Sequence, residues 1–171
     1  MLYDFKGLCD VFEEVSPDAP REMANVVKKY PRVFLYGAGR SGLMMKAFTM
    51  RLAQSGRTVY VIGETVTPAI CEDDLLILAS ASGKTASVVN YAKVAKDNGA
   101  AVYSITASES SPLTLLSDGF VCLPSPNKDS EQTNSIMGTL FEQSLLLFCD
   151  LVVSEMGDDI SKMRARHANL E

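Results

Sequence analysis

Two segments of this sequence contain the glycines, hydroxyls and cations that commonly bind phosphate groups. The first, GAGRSG from Gly37 to Gly42, follows the apolar run VFLY and has the G-x-G-x-x-G spacing of a dinucleotide-binding turn. The second, SASGKT from Ser80 to Thr85, follows the apolar run LLILA. Backbone N–H groups and the dipole at the start of a helix attract anions. Both segments therefore indicate an anion site between a strand and a helix.

The second segment matches a nucleotide-binding P-loop only in part. The pattern G-x-x-x-x-G-K-[ST] requires a glycine where Leu78 stands, which excludes that motif. The hydroxyls of Ser80, Ser82 and Thr85 suit a phosphate monoester, and the cation of Lys84 favours one. Ser82 or Thr85 could instead serve only as the N-cap of the following helix. The two roles are compatible, because a capping hydroxyl can also reach an oxyanion.

The first segment fits two kinds of ligand. Glu64 lies where a dinucleotide-binding protein places the acid that binds the ribose, about 20 residues beyond the turn. Ser41 and Arg40 provide a hydroxyl and a forked cation that a sugar phosphate would use equally well. A chain of 171 residues is expected to form one domain, without a second domain to carry a hydride acceptor. The dinucleotide is therefore the weaker interpretation.

Two residues are candidates for proton transfer. Glu142 shares a helical stripe with Leu145 and Cys149, and a carboxylate beside apolar neighbours suits proton transfer near neutral pH. The residues from Thr139 to Glu142 also fit a T-x-x-E capping box, in which the glutamate only closes the start of the helix. Histidine is the side chain whose charge changes near neutral pH, and His167 is the only one. Its position near the C-terminus also fits a solvated tail.

An alternation of strands and helices must position these candidates. Five short apolar runs predict parallel strands buried on both faces, at 33–36, 58–62, 75–79, 101–105 and 120–123. Helices are predicted in an N-terminal region at about 1–30 and at 43–55, 85–98 and 137–156, with a polar loop at 124–135 and a C-terminal tail at about 157–171. The pattern predicts a doubly wound α/β domain over residues 1–171.

The order of the strands decides which loops meet. Ligands of open parallel sheets bind beyond the carboxyl ends of the strands, where the strand order reverses. In the six-stranded dinucleotide fold, the GAGRSG loop would face the loop after the fourth strand, ASESSP. In the order 2-1-3-4-5 it would face SASGKT instead. The second order brings together two loops that are both suited to anions.

Composition narrows the classes of partner. The 16 basic and 21 acidic residues give a net charge of −5, which argues against a nucleic-acid partner. The longest apolar cluster, Leu145 to Val153, is interrupted by Asp150 and too short to span a bilayer, so no membrane partner is expected. The four cysteines form no C-x-x-C pair and three of them lie in apolar surroundings, which predicts reduced, buried thiols. We therefore expect a cytoplasmic protein without a metal site.

Several longer motifs together resemble the 6-phospho-3-hexuloisomerase family, whose members are sugar isomerase (SIS) domains. They are GAGRSG, GETVTP at Gly63 to Pro68, the S-x-S-G loop, MGTLFEQ at Met137 to Gln143, and the terminal RHANLE. The resemblance implies a three-layer αβα sandwich with a five-stranded parallel sheet in the order 2-1-3-4-5, assembled as a homotetramer. It also implies interconversion of D-arabino-hex-3-ulose 6-phosphate and D-fructose 6-phosphate through an enediol, without a cofactor. The implied context is formaldehyde fixation through the ribulose monophosphate pathway, or pentose supply.

The resemblance assigns roles residue by residue. Glu142 and His167 are implied as catalytic groups, with His167 acting in its own or a neighbouring subunit. The implied phosphate-binding residues are Ser41, Ser80, Ser82 and Thr85, and the further candidates for substrate binding are Gly39, Arg40, Lys84, Glu64 and Thr65. The alternatives are another sugar-phosphate isomerase, such as an arabinose 5-phosphate isomerase, and a non-catalytic sugar-phosphate-binding SIS module. A dinucleotide-binding protein is the weakest of them.

Overall fold

A five-stranded, all-parallel β-sheet forms the centre of the protein. The computed structural model describes residues 5–126 and 137–169, and its strands are β1 (Arg32–Gly37), β2 (Thr58–Val61), β3 (Asp74–Ala79), β4 (Ala101–Thr106) and β5 (Gly119–Cys122). They lie in the order β2-β1-β3-β4-β5, which confirms the predicted order. Gly37 at the end of β1 pairs with Ala79 at the end of β3. The loops that follow these two strands therefore begin side by side.

Helices cover both faces of the sheet. They are α1 (Phe5–Glu14), α2 (Ala19–Lys29), α3 (Gly39–Gln54), α4 (Ala86–Asp97), α5 (Pro112–Leu116), α6 (Thr139–Met156) and α7 (Ile160–Ala165). Val33 and Leu35 of β1 join a buried cluster with α1, α2, α3 and α6, whereas Phe34 joins a second cluster with α4 and α5. The predicted three-layer αβα sandwich is confirmed. Within the described residues, no helix has the length and apolar character needed to cross a membrane.

Helix α3 begins earlier than the apolar periodicity predicts. The periodicity predicts a helix from Leu43, but the helix starts at Gly39, directly after β1. Gly39 has a φ of 60°, a left-handed conformation that costs glycine little because it has no Cβ. Arg40 and Ser41 therefore lie in the first helical turn rather than in a loop.

Two short helices were not evident from the sequence pattern. A capping box between Ser111 and Thr114 begins α5, and the carboxylate of Asp159 accepts a hydrogen bond from Ser161 N–H at 2.8 Å at the start of α7. Local side-chain bonds, rather than apolar periodicity, mark these helices. The predicted tail at 157–171 thus contains a helix. Most of the predicted loop at 124–135 lies outside the described residues, which exclude 127–136.

Gly37 and Gly42 allow α3 to pack closely on the end of β1. A Cβ added to Gly42 would collide with the carbonyl oxygen of Gly37, and one added to Gly37 would lie 3.0 Å from the backbone nitrogen of Gly42. Only hydrogen atoms fit between these two backbones. The glycines of GAGRSG therefore make the close strand–helix contact that the G-x-G-x-x-G spacing also provides in dinucleotide-binding folds.

A buried carboxylate joins β1 to β3 at the amino ends of the strands. Arg32 Nε and Nη2 donate to the two carboxylate oxygens of Asp74 at 2.7 and 2.6 Å, and Cys71 N–H donates to Asp74 Oδ2 at 2.7 Å. Burial raises the pKa of Asp74, but these hydrogen bonds outweigh burial and hold the pKa below its ordinary value. Because the group lies at the edge opposite the anion-binding segments, we assign it to stability.

Replacing Asp74 by Asn should destabilise the fold by about 2 kcal/mol near neutral pH, because charge-assisted hydrogen bonds are lost. Since the folded-state pKa of Asp74 is lowered, its contribution is complete above the unfolded-state pKa of about 3.9 and is lost as the pH falls through the folded-state value. The difference in unfolding free energy between wild type and Asp74→Asn should therefore shrink below about pH 4. Urea unfolding at several pH values measures it.

The matched control for this prediction is Asp118→Asn. Asp118 also pairs with a cation, Lys96 at 2.6 Å, and accepts from Val102 N–H at 2.8 Å, but its side chain is 50% exposed. We expect a smaller loss of stability there, because solvent screens the exposed pair. A difference at Asp74 that stayed constant down to the lowest pH would contradict the assignment.

The cysteines depart from the sequence expectation. Cys149 is buried and Cys122 is half-buried, but Cys9 and Cys71 are exposed, so the prediction that three of the four thiols are buried is wrong. Cys9 lies on the outer face of α1, whose fully buried residue is Val11. Cys71 lies in the segment that leads into β3. All four thiols are free, and burial raises the pKa of Cys149 well above its ordinary value.

Candidate functional site

The two segments predicted to bind an anion begin side by side at the carboxyl edge of the sheet, where the strand order reverses between β1 and β3. Gly37 and Ala79 pair at the ends of these two strands, so the segments that lead into α3 and α4 begin side by side. In the described part of the chain neither helix start receives a side-chain capping bond, although Ala38 and Thr85 occupy the N-cap positions. The backbone N–H groups at both helix starts are thus left without a side-chain cap, and groups of this kind commonly bind anions in proteins.

Hydroxyl contacts shape the SASGKT segment. Ser80 is buried, and its Oγ lies 3.0 Å from Thr85 Oγ1. Ser82 is exposed, and its Oγ accepts a hydrogen bond from the backbone N–H of Lys84 at 3.2 Å. Thr85 stands at the N-cap of α4, but its side chain makes no capping bond. The interpretation of Thr85 as only a helix cap is therefore wrong.

The loop after β4 supports the SASGKT backbone from the side. Gly83, with a φ of 61°, donates its N–H to Ser80 O at 3.1 Å and accepts from Leu113 N–H at 3.1 Å. A Cβ at Gly83 would collide with the side chain of Ser111. The position of Ser111 therefore helps to hold the anion-binding loop in place. Sequence reasoning missed this contact, because no motif links the two loops.

Glu142 lies in the first turn of α6, which packs against α3. Gly138, with a φ of 83°, is the N-cap of this helix, so the predicted capping box between Thr139 and Glu142 does not form. The Glu142 side chain is only 12% exposed. A nearly buried carboxylate that does not cap its helix needs another partner.

That partner is Arg40, in the first turn of α3. Arg40 Nε lies 2.8 Å from Glu142 Oε2, and the Arg40 side chain is 63% exposed. The Nε–H is not directed at the oxygen, since this buried Oε2 has no aligned hydrogen bond within the described residues. The two groups thus form a short ion pair without the geometry of a fixed hydrogen bond. Because Arg40 is in the first turn of α3, this pair shows that the predicted proton-transfer residue lies at the same edge of the sheet as the GAGRSG segment.

The GETVTP segment follows β2, the neighbour of β1. Glu64 Oε1 lies 2.8 Å from Lys46 Nζ on α3, and both side chains are about half exposed. The backbone N–H of Glu64 donates to Val61 O at 3.2 Å, so this residue does shape the turn. Thr65 is exposed beside it. A sugar-binding role for Glu64 and Thr65 stays a prediction.

His167 lies far from Glu142 within one chain. Its neighbour Arg166 donates to Gln54 O at 3.1 Å and covers Gly56, both at the end of α3. Helix α3 has 16 residues, so at about 1.5 Å per residue its two ends are separated by roughly 24 Å. His167 is exposed there, at the amino edge of the sheet. A catalytic role for His167 therefore requires a neighbouring subunit and stays a prediction.

Ser80→Ala tests the anion-binding segment. If the Ser80 hydroxyl binds the phosphate of a substrate, its removal should raise KM about tenfold and leave kcat within about threefold, because the contact is the same in the ground and transition states. The control is Ser110→Ala, because Ser110 is an exposed serine in the loop after β4. Steady-state kinetics of both variants measure the changes in KM and kcat. A Ser80→Ala variant with the wild-type KM would contradict the role.

The fold and the candidate site together define an α/β protein with a topological switch point between β1 and β3, beside a nearly buried glutamate. The family model for the SIS domain matches residues 27–148, and the chain belongs to the SIS domain family. The resemblance predicted from the motifs is confirmed. Membership of this family also replaces the dinucleotide interpretation of GAGRSG.

Individual relatives are similar over nearly the whole chain. A Mycobacterium gastri protein named 3-hexulose-6-phosphate isomerase is 39% identical, over 96% of this chain and 86% of its own. A Bacillus subtilis protein of the same name is 38% identical, over 92% of this chain and 89% of its own. A solved structure from Methanococcus jannaschii, described as a hypothetical protein with an inferred function of 3-hexulose-6-phosphate isomerase, has a TM-score of 0.81 and 33% identity. It covers 96% of this chain and 93% of its own.

Proposed function

We propose that this protein interconverts D-arabino-hex-3-ulose 6-phosphate and D-fructose 6-phosphate. The observation that carries the proposal is the nearly buried carboxylate of Glu142, paired with Arg40 in the first turn of α3, at the sheet edge where the segments after β1 and β3 begin side by side. The names of relatives at 38% and 39% identity support this choice of reaction. In this proposal the reaction serves the ribulose monophosphate pathway of formaldehyde fixation, in the cytoplasm.

The phosphate position lies between the first turns of α3 and α4. Backbone N–H groups of both turns bind the phosphate oxygens, and the exposed Lys84 adds positive charge. The hydroxyls that contribute are those of Ser41, Ser80, Ser82 and Thr85. Local donors are essential, because a net charge of −5 would otherwise repel an anionic sugar. A fixed phosphate places the carbons to be isomerised at a constant distance from the base.

Glu142 is the base in this mechanism. It removes the proton from C2 of the 3-hexulose, the C–H electron pair forms the C2=C3 double bond, and the C3 carbonyl oxygen takes a proton. The resulting enediol loses the proton on O2 to form the C2 carbonyl, while C3 receives a proton. Electrons and hydrogens balance within the sugar. The product is fructose 6-phosphate.

Protons must also move between O2 and O3, and His167 of the partner subunit is our candidate for this step. Histidine can give and take protons near neutral pH. Within one chain His167 lies at the opposite edge of the sheet, so this assignment needs an oligomer in which one subunit's C-terminal segment reaches another subunit's site. We propose a homotetramer.

A direct assay tests the function. Incubating the purified protein with fructose 6-phosphate should produce the 3-keto isomer, detected by ¹³C NMR, until a fixed ratio is reached. Conversion of arabinose 5-phosphate instead would keep the reaction class and change the substrate. Binding of fructose 6-phosphate without any conversion would indicate a non-catalytic sugar-phosphate-binding module.

A further inference from the structure

Arg40 connects the two halves of the site. It precedes Ser41 in the first turn of α3, next to the proposed phosphate position, and its side chain reaches across to Glu142 on α6. The same cation therefore lies beside the proposed base and beside the proposed phosphate-binding turn. A cation in that position can form an ion pair with the glutamate or with a bound phosphate.

The two members of this ion pair differ strongly in solvent exposure. Glu142 is 12% exposed and its Oε2 is fully buried, whereas the Arg40 side chain is 63% exposed. The Nε–H of Arg40 does not align with Oε2, although the two atoms are 2.8 Å apart. A buried carboxylate needs a counter-charge, but an exposed guanidinium can change partners at little cost. The arginine is thus the mobile member of the pair.

We propose that Arg40 passes from Glu142 to the substrate phosphate when the substrate binds, and that this transfer frees Glu142 Oε2 to accept the substrate proton. The proposal rests on the proposed function, in which Glu142 is the base. A phosphate dianion carries more charge than a carboxylate and binds a guanidinium through two parallel hydrogen bonds, so it competes well for Arg40.

The transfer makes the access of substrate to Glu142 Oε2 depend on whether a phosphate group is bound. With Arg40 in place, the Glu142 carboxylate is neutralised and its Oε2 is obstructed. With Arg40 on the phosphate, Glu142 Oε2 is no longer covered by the guanidinium and is open to the substrate. Arg40 is therefore a positioning residue that acts through Glu142 and favours phosphorylated sugars over free ones.

A double-mutant cycle on phosphate binding tests the transfer without any need for turnover. Isothermal titration with inorganic phosphate is performed on wild type, Glu142→Gln, Arg40→Gln and the double variant. Glu142→Gln should bind phosphate about fivefold more tightly, because Arg40 no longer has to leave a partner. Arg40→Gln should bind about tenfold more weakly, and adding Glu142→Gln to it should change nothing further.

Other outcomes overturn the proposal. If Glu142→Gln tightens binding equally in both backgrounds, the effect is only the loss of a nearby negative charge. If Glu142→Gln weakens binding, Arg40 bridges both groups and does not leave. Absence of phosphate binding by wild type would also refute it. The control is Glu155→Gln, the same change at an exposed site of α6 that pairs with Arg21 at 3.5 Å, and its affinity should equal that of wild type.

Kinetics with fructose 6-phosphate separate a positioning role from a structural one. Arg40→Gln should raise KM about tenfold while kcat stays within about threefold, because Glu142 is already free in the variant. A fall in kcat of about a hundredfold would show that Arg40 must stay on Glu142 during the reaction. Arg40→Lys keeps the charge but loses the two parallel hydrogen bonds, so its KM should lie between those of wild type and Arg40→Gln, and this second variant guards against misfolding of the first. If wild type converts no sugar, the proposed function fails, yet the binding cycle still decides whether Arg40 changes partner.

Discussion

Glu142→Gln should lower kcat with fructose 6-phosphate by about 10³-fold, because an amide cannot accept the substrate proton. The amide has nearly the same size as the carboxylate, so the packing of the first turn of α6 against α3 is kept. Measurement of kcat at saturating substrate, with thermal unfolding to check the fold, gives the result. Retained phosphate binding in the same variant would locate the loss in the chemical step.

The matched control for this prediction is again Glu155→Gln, on the same helix but 44% exposed, which should keep full activity. A Glu142→Gln variant with kcat within about tenfold of wild type would contradict the account, because another group would then have to take the proton. If both proteins bind fructose 6-phosphate and neither converts it, the chain is a binding module and Glu142 is not a base.

Gly42→Ala should cost about 2 kcal/mol of unfolding free energy and lower Tm by about 4–8 °C. The added Cβ would collide with the carbonyl oxygen of Gly37, a backbone atom that cannot rotate away. Relief requires α3 to move off the end of β1, and this movement carries Arg40 and Ser41 with it. We therefore expect kcat/KM to fall more than Tm alone would suggest. Calorimetry and steady-state kinetics measure the two effects.

Gly39→Ala separates the collision from ordinary glycine strain. Gly39 has a left-handed φ, but nothing lies within 4 Å of the Cβ that a side chain would add. Its replacement should cost about 1 kcal/mol, the usual penalty for a side chain in that conformation. Equal effects of the two substitutions would show that the contact between Gly37 and Gly42 does not control the packing of α3.

Much of the fold could be predicted from local sequence patterns. Apolar runs such as 75–79 are long enough, and sufficiently free of polar residues, to indicate strands buried on both faces. The resemblance predicted the strand order, and this order also places the GAGRSG and SASGKT loops next to each other. Periodicity misplaced the start of α3, because the left-handed turn at Gly39 lets the helix begin before its apolar stripe does. The helices α5 and α7 depend on local caps and carry too few residues for a periodic pattern.

Individual residues of the candidate site could be identified from the sequence, but the contacts between them could not. The hydroxyls of Ser80 and Thr85 could be identified from their motif, whereas their mutual contact depends on the folded loop. Arg40 and Glu142 lie in distant segments, and only the packing of α3 against α6 brings their charges together. The T-x-x-E pattern suggested a cap because it cannot show that Gly138 takes the capping position. The proposed role of His167 was not accessible from local patterns, because it would depend on contacts beyond a single chain.

The most direct test of the central claim is hydrogen exchange at C3 of fructose 6-phosphate in D₂O. Wild type should replace the C3 hydrogen by deuterium, seen as loss of the C3–H signal in ¹H NMR, because the enediol forms reversibly at Glu142. The exchange should be suppressed by about 10³-fold in Glu142→Gln and unchanged in Glu155→Gln. Fructose 6-phosphate that binds to wild type, keeps its C3 hydrogen and yields no 3-keto isomer would contradict the account.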